Sequence, residues 1–498
     1  MARSDRGARR RTQRPSNGAL GQAAWRAGLL ALAGLGAAPG PAAAQQVWQQ
    51  KPVSGDFNTA ANWTPNVVPI NAFFQTSNIT DLSFSADTTV GGWSFLAGAS
   101  SYIFTVDRGR TLTFAGVGID GGGSSPTIIN GGRLEFGNSS TAGNASITNN
   151  DILVFESRGT AGTATITNNN ILRFSENSTA ESATITNNGA LAFELRGTGG
   201  NARLINGPSG IIQLIGIAPV PVTVGSIEGS GAIRLGQRTL VVGDNNRSTR
   251  FSGVIQGDGS LIKRGTGDLN LSGQNTYTGV TEVAQGTLTV NGSIPGSVIV
   301  EAGAALQGSG TTGSVIMNGR VSPGNSIGTL HVNGDLNMAP DSRYYVEING
   351  QTSDRIEVAG TANIQSSVFE IAHDTNTASA PVVPGKTYTL LTTQGGLTVT
   401  SPTLAIADFP FLAFTLSADA FNGYLTTSRS AVSFADLAST PNAKAIANAL
   451  ETTATSSPLW QKVVGASEAQ ARAAFTSLSN ASIHANAAGV LSEQSQYL

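Results

Sequence analysis

The hydrophobic and polar positions of residues 133–208 recur with a period of 19 residues. Each copy contains a Leu-x-Phe pair and, further along, an Ala-x-Ile or Ala-x-Leu pair that an Asn follows two residues later. One shared period without insertions indicates that every copy is the same structural unit. The apolar columns that we predict to form the core consist of Leu134, Phe136, Ile147, Leu153, Phe155, Ile166, Leu172, Phe174, Ile185, Leu191, Phe193 and Leu204.

Each copy predicts two short strands joined by turns. The apolar residues of each pair alternate with polar ones, as in a strand with one buried face. Turn-forming residues such as Gly137, Asn138 and Ser139 separate the pairs, and no window has helical spacing. One copy is too small to bury a core, so successive copies must stack about 4.8 Å apart. We therefore predict an all-β fold, a parallel β-helix solenoid, because a leucine-rich horseshoe needs a longer repeat with a helical side.

The Asn column of the repeat allows two interpretations. Its members are Asn149, Asn168, Asn187 and Asn206. They could form an internal ladder of amide side chains that bond to one another along the solenoid axis. Alternatively, they could occupy turns, because Asn tolerates the left-handed backbone conformation. We favour the turn interpretation on this backbone preference.

The segments on either side of the repeat differ from it in pattern. Residues 45–125 contain strands without a tight repeat, and we predict that they cap the solenoid. Three Trp residues concentrate there: Trp48, Trp63 and Trp93. Strands and turns continue after residue 214, and from residue 431 the pattern becomes helical. Thr440 before Pro441, and Ser467 three residues before Gln470, predict the starts of two helices.

The first 44 residues are predicted to be a secretory signal peptide. A basic stretch ends at Arg14, an apolar run covers 27–38, and small residues lead to Ala44. This succession is typical of a signal peptide, and the apolar run is too short for an ordinary transmembrane helix. We predict cleavage between Ala44 and Gln45, and hence export of the mature chain.

Composition narrows the range of functions. The chain has 61 Gly and only 12% charged residues, and its polarity comes from Asn, Thr and Ser, which suits strands and turns. The formal net charge is −2, and seven of the 29 basic residues lie in the first 44 positions. The rest forms no basic stripe, which argues against a nucleic-acid partner. The chain has no Cys, so disulfides and thiol catalysis are excluded.

Two motifs resemble enzyme sites but lack the required context. Residues 324–328 match G-x-S-x-G, which in hydrolases leads from a strand into a helix, whereas a second strand pattern follows here. Residues 308–313 match G-x-G-x-x-G, but no helix pattern follows them either. We interpret the second motif as a turn, and we expect no hydrolase nucleophile in the first.

Other candidate chemistry is sparse. The His residues, which have no partners at metal-ligand spacing, are His331, His373 and His484. Two pairs of acids could serve a carbohydrate-active enzyme, although we favour solvated surface charge: Asp354 with Glu357, and Asp335 with Asp341. We therefore expect no catalytic residue, no cofactor and no metal, and we predict that the protein is not an enzyme.

The segment 257–279 (GDGSLIKRGTGDLNLSGQNTYTG), completed by 285–288, closely resembles the passenger-associated transport repeat of autotransporters. Further segments that are similar to autotransporter passengers are 54–65, 322–330, 354–356, 360–362 and 478–488. The resemblance implies a right-handed β-helix that a Gram-negative bacterium exports to its surface or beyond. It also implies that the region around 322–430 nucleates folding outside the cell.

The resemblance further implies an outer-membrane translocator β-barrel as a partner, with the helical tail threading its pore. In the family this barrel would begin where the chain stops, at Leu498, so we expect the barrel to be absent from this chain. The implied function is structural or adhesive, toward an unknown surface ligand. The alternatives are a β-helix carbohydrate-active enzyme and a passive carrier whose effector is missing.

The predicted domain boundaries follow these patterns along the chain. The domains are a signal peptide (1–44), an N-terminal capping part (45–125), the 19-residue repeats (126–213), the β-helix with the passenger-associated repeat (214–333), a C-terminal folding region (334–430) and a helical linker (431–498).

Overall fold

A computed structural model describes residues 45–216, 220–374 and 380–479. The predicted signal peptide with Ala44, and the end of the helical tail with His484, lie outside the described residues. The described residues belong to one compact unit that begins at Gln45. The predicted domain boundaries and the cleavage position remain predictions.

The described residues wind into a parallel β-helix whose strands form four sheets, and the predicted fold class is confirmed. The first sheet contains, in spatial order, Trp63–Thr64, Gln46–Trp48, Asn71–Phe74, Thr88–Phe95, Thr111–Asp120, Arg133–Phe136, Ile152–Phe155, Ile171–Phe174, Ala190–Glu194, Ile211–Ile215, Ala232–Gly236 and Ile255–Gly257. The second contains Asp81–Ser83, Ile103–Val106, Thr127–Asn130, Ser146–Asn149, Thr165–Asn168, Thr184–Asn187, Arg203–Asn206, Ser226–Gly229, Thr249–Phe251, Asp268–Leu271, Thr287–Val290, Ala305–Gly308, Arg320–Pro323, Arg343–Ile348, Val368–His373 and Thr403–Ile406.

Two further sheets begin later along the chain. The third contains Val222–Val224, Leu240–Val242, Leu261–Lys263, Thr281–Val283, Val298–Val300, Val315–Met317, Leu336–Met338, Ala362–Gln365 and Leu397–Thr400. The fourth contains Ser293–Ile294, Thr311–Thr312, Thr329–Val332, Arg355–Val358, Thr387–Thr393, Asn422–Arg429 and Leu412–Ala418, of which the last two form an antiparallel hairpin.

The 19-residue copies stack in register. Strand Ile152–Phe155 pairs in parallel with Arg133–Phe136 on one side and Ile171–Phe174 on the other. Register of this kind brings identical side chains over one another, so the Phe rings of neighbouring coils stack with centroids 5.0, 4.8 and 5.5 Å apart from Phe136 to Phe193. Every residue of the apolar columns is at most 1% exposed. Burial of this column is the main stabilising contribution in this part of the chain.

The Asn column forms an internal ladder, so the turn interpretation is wrong. The Nδ2 group of Asn149 donates to Oδ1 of Asn168 at 2.7 Å, and that of Asn168 donates to Oδ1 of Asn187 at 2.8 Å. These side chains are at most 1% exposed and end strands of the second sheet. The ladder begins one coil earlier than the sequence analysis placed it, at Asn130. The alternation of buried and exposed residues along the strand indicates an inward Asn149, because Asn149 lies two residues after the buried Ile147.

The cross-section changes along the solenoid. The third sheet starts at Val222–Val224, the first sheet ends at Ile255–Gly257, and the fourth starts at Ser293–Ile294. A buried cation marks this transition, since Arg238, 1% exposed, donates from its guanidinium to the carbonyl oxygens of Phe193 and Ile215. These bonds join backbone from successive coils where the Phe column ends.

The N-terminal coils bury a cluster of aromatic rings. Trp48, Trp63 and Trp93 are fully buried, and the rings of Trp48 and Trp63 meet edge to face with centroids 5.0 Å apart. An antiparallel pair between Gln46–Trp48 and Trp63–Thr64 closes the edge of the first sheet. A short 3-10 helix, Ala60–Asn62, precedes the second of these strands.

The C-terminal segment is helical, as predicted. A 3-10 helix, Phe434–Leu437, is followed by α1 (Pro441–Glu451), α2 (Pro458–Val464) and α3 (Glu468–Leu478). The two predicted helix starts are confirmed, because the Thr440 hydroxyl accepts from the Ala443 amide and Ser467 forms a reciprocal capping box with Gln470. None of the helices in the described ranges is long and apolar enough to cross a membrane.

Candidate functional site

A buried lysine joins two coils in the segment 261–290. Lys263 follows the buried Leu261 by two residues on the inner face of its strand and is 1% exposed. Its Nζ donates to the carbonyl oxygens of Arg264, Gly265 and Gln285, at 2.7, 2.9 and 3.2 Å. Burial lowers the pKa of Lys263 to about 8, although Asp268 and Asp244 act in the opposite direction. The sequence analysis missed this residue, although its alternation with Leu261 indicates an inward side chain.

The Gly-Gln-Asn-Thr-Tyr stretch of the same segment also forms contacts between coils. Asn275 accepts from the Ile255 amide of the preceding coil at 3.0 Å and donates to the Ser293 carbonyl of the following coil at 3.0 Å. The hydroxyl of the fully buried Tyr277 lies 2.5 Å from that of Thr281. At Gly273 the coils are so close that a Cβ atom would lie 1.9 Å from the Gly253 oxygen. This motif therefore encodes close stacking of coils.

A buried carboxylate holds the loop that contains the G-x-S-x-G sequence. Asp354 is fully buried and accepts from the amides of Gly328 and Glu347 at 2.8 and 2.9 Å. Burial raises the pKa of Asp354 to about 7, against the lowering effect of these two amides. The interpretation of Asp354 as solvated surface charge is therefore wrong, whereas Asp335 and Asp341 are exposed. Asp354 differs from the exposed Asp335 and Asp341 because loop and strand backbone surround its carboxylate and exclude water from it.

Three side chains could have belonged to a hydrolase, but each of them has a different partner in the structure. The Ser326 hydroxyl is bonded to Asp374, at 3.3 Å, and a strand follows its loop. Nδ1 of His331 lies 3.2 Å from a carboxylate oxygen of Glu357, and Nε2 of His373 lies 2.9 Å from the Asp408 carbonyl. In the part of the chain that the structure describes, neither His is hydrogen-bonded to a Ser, and no three His, Asp or Glu side chains converge as metal ligands.

The segment 261–290, whose buried side chains join neighbouring coils, matches a known family of repeats. The family model described as passenger-associated transport repeat matches residues 261–290. An extracellular serine protease of Serratia marcescens is 37% identical over 221 residues, which are 42% of this chain and 21% of that protein. The chain contains an autotransporter passenger domain. The domain is accordingly exported to the surface of a Gram-negative cell or beyond.

Two other relatives of the passenger are autotransporters by name. The adhesin BmaC autotransporter of Brucella suis is 35% identical over 113 residues, which are 20% of this chain and 3% of that protein. The autotransporter lipoprotein NalP of Neisseria meningitidis is 30% identical over 143 residues, which are 26% of this chain and 12% of that protein. The chain thus spans about a fifth or less of the length of the curated relatives that it matches.

The prediction that the protein is not an enzyme is wrong. A second extracellular serine protease of Serratia marcescens is 33% identical over 221 residues, in addition to the one at 37%. Two relatives of the passenger with this name point to protease activity as a candidate. Sequence reasoning missed it because the segments that carry the resemblance encode stacking of coils rather than catalytic chemistry.

Proposed function

We propose that this passenger is an adhesive scaffold that binds a neutral, hydroxyl-rich ligand such as a cell-surface polysaccharide. The binding surface, which we call the repeat face, is the outer side of three stacked coils in the second sheet. Its twelve members are Asn144, Ser146, Thr148, Asn150, Thr163, Thr165, Thr167, Asn169, Ser182, Thr184, Thr186 and Asn188.

The composition of the repeat face supports this proposal. All twelve side chains are exposed or half-exposed, each carries a hydroxyl or an amide, and none is charged. The strands beneath them pair in register, so equivalent side chains repeat about 4.8 Å apart along the axis. An outer amide row adds order, because Asn169 donates to Asn150 at 2.8 Å and Asn188 donates to Asn169 at 3.0 Å.

A regular array suits a repeating ligand. β-Branched Thr side chains lose little further freedom on binding, so they are preorganised donors and acceptors. Many weak hydrogen bonds to one polymer combine through effective concentration, which raises the total affinity without any single strong contact. The name of the Brucella suis relative, an adhesin, is consistent with this function.

The experiment removes hydroxyls without changing side-chain shape. The triple variant T148V/T167V/T186V keeps β-branched residues in the strands, so the fold should be retained. We expect its binding to a panel of immobilised polysaccharides, measured by biolayer interferometry, to weaken at least tenfold relative to the unmodified chain. The control T398V/T400V changes two exposed Thr residues of the third sheet. Equal binding by both variants would contradict the proposal.

A second candidate function is proteolysis by the whole protein. It is favoured by the two relatives that are named extracellular serine proteases, at 33% and 37% identity. In this case the β-helix would serve as the scaffold that presents a catalytic domain. A fluorophosphonate probe on the exported full-length protein should label a Ser residue if this candidate is correct, and absence of labelling would count against it.

A further inference from the structure

The helices at the C-terminal end pack on the last coils of the solenoid. Phe434 and Phe475 are fully buried, and Trp460 is 5% exposed. The ring of Phe434 meets that of Phe411, beside the terminal hairpin, edge to face with centroids 4.8 Å apart. Residues 434–478, which we call the cap, therefore share one apolar core with the β-helix.

A half-buried arginine fastens the cap to the hairpin. Arg429 ends the strand Asn422–Arg429, and its guanidinium lies 2.8 Å from a carboxylate oxygen of Glu451 in α1. The other oxygen of Glu451 accepts from the Phe434 amide at 2.7 Å. The same guanidinium lies over the rings of Phe434 and Phe411, 4.9 and 5.3 Å from their centroids. The Glu451 carboxylate thus bridges Arg429 of the hairpin and the first residue of the cap, and the bond to the guanidinium is charge-assisted.

A second polar contact holds α3. Asp408, which follows the last strand of the second sheet by two residues, accepts from the amide of Glu468 at 2.7 Å. Glu468 is the first residue of this eleven-residue helix, where a negative charge is stabilised by the unpaired amides and the helix dipole. The cap and the solenoid also approach each other closely at Gly465, because a Cβ atom there would lie 2.4 Å from the Val382 oxygen.

We propose that the cap folds onto the last coil outside the cell and remains there, so that the segment inside the translocator pore begins after Leu478. The inference rests on the proposed function only because it assumes that the passenger is exported through an outer-membrane translocator barrel. Three docked helices are at least two helix diameters wide, on the order of 20 Å, so they would pass through a pore of single-helix width only after leaving the solenoid. Under this proposal only the residues after Leu478 thread the pore, whereas the family resemblance led us to expect that the whole helical tail does so.

Accessibility on displayed cells tests the position of the cap. The chain has no Cys, so a single introduced Cys is a unique probe. The chain is displayed through a translocator barrel joined after Leu498, and cells are treated with a maleimide-polyethylene glycol of several kilodaltons. We expect S456C, in the exposed loop between α1 and α2, to be labelled as fully as S182C on the repeat face. We expect S492C to be labelled several-fold less until the barrel is denatured.

Protection of S456C to the level of S492C, with S182C labelled, would overturn the proposal. Failure to label S182C would instead contradict export, and an experiment in solution then decides the question. In the purified chain 45–498, D408A should speed amide exchange in α3 about tenfold, whereas D258A, an exposed acid in another coil, should leave it unchanged. Equal exchange in α3 of both variants would show that the cap is not held by this contact.

Discussion

Replacing one member of the Asn ladder should open the repeat locally. The Asn168 side chain is fully buried and donates to Oδ1 of Asn187 and to the Ala190 carbonyl, at 2.8 and 3.0 Å. It also accepts from Nδ2 of Asn149 at 2.7 Å. The variant N168A removes these three bonds, together with a longer one of 3.3 Å to the Asn170 carbonyl, and leaves a void between two coils.

The free-energy cost of N168A depends on the buried hydrogen-bonding groups that lose their partners. Nδ2 of Asn149 retains its bond to the Ile171 carbonyl, at 2.8 Å, whereas Oδ1 of Asn187 loses the amide that it accepts from. A buried acceptor without a partner costs about 1–3 kcal/mol, and each further lost bond costs about 1 kcal/mol. With two further short bonds lost we expect a total of about 3–5 kcal/mol, which corresponds to between roughly 100-fold and several thousand-fold in the opening equilibrium.

The neighbouring residue supplies a matched control. Asn169 takes part in an outer row of amides that is exposed to water, so N169A should cost under about 0.5 kcal/mol. Hydrogen-deuterium exchange of the amides in Thr165–Asn168 and Thr184–Asn187 is the suitable assay, because a solenoid opens coil by coil. Equal exchange rates in N168A and N169A would refute the reasoning that the ladder stabilises the repeat.

Three further substitutions test the stacking of coils. F155A empties a site between two stacked rings and should cost about 3–5 kcal/mol in the stability of its coil, measured by amide exchange. G273A places a Cβ atom 1.9 Å from a carbonyl oxygen and should accelerate proteolysis of its coil, whereas G137A, with its nearest atom at 3.9 Å, should not. Lys263 loses its proton near pH 8 when folded and near 10.5 when unfolded, so the unfolded chain binds more protons between these values and stability should rise with pH, by about 3 kcal/mol. K263M should abolish this rise, measured by urea unfolding at a series of pH values, and a rise that persists in K263M would contradict the assignment to Lys263. Unchanged amide exchange in F155A, or equal proteolysis of G273A and G137A, would contradict the stacking argument for those residues.

The sequence by itself determined the stacked architecture. A constant spacing brings equivalent residues over one another once coils are parallel, and alternation within each pair decides which side chain faces inward. Local chemistry likewise determined where α1 and α3 begin, because a capping side chain and its helix are close in sequence. Such features depend only on neighbours along the chain or on the repeat itself.

Only the tertiary structure decided which polar groups outside the alternating strand pattern are buried, and where the helices lie. Asp354 is near charged residues in sequence, yet amides from residues 26 and 7 positions away surround its carboxylate. The contact between Asp408 and α3 joins residues 60 positions apart, and no local pattern predicts it. Desolvation and docking depend on which distant segments meet in space, and a pattern of neighbours along the chain carries no information about such meetings.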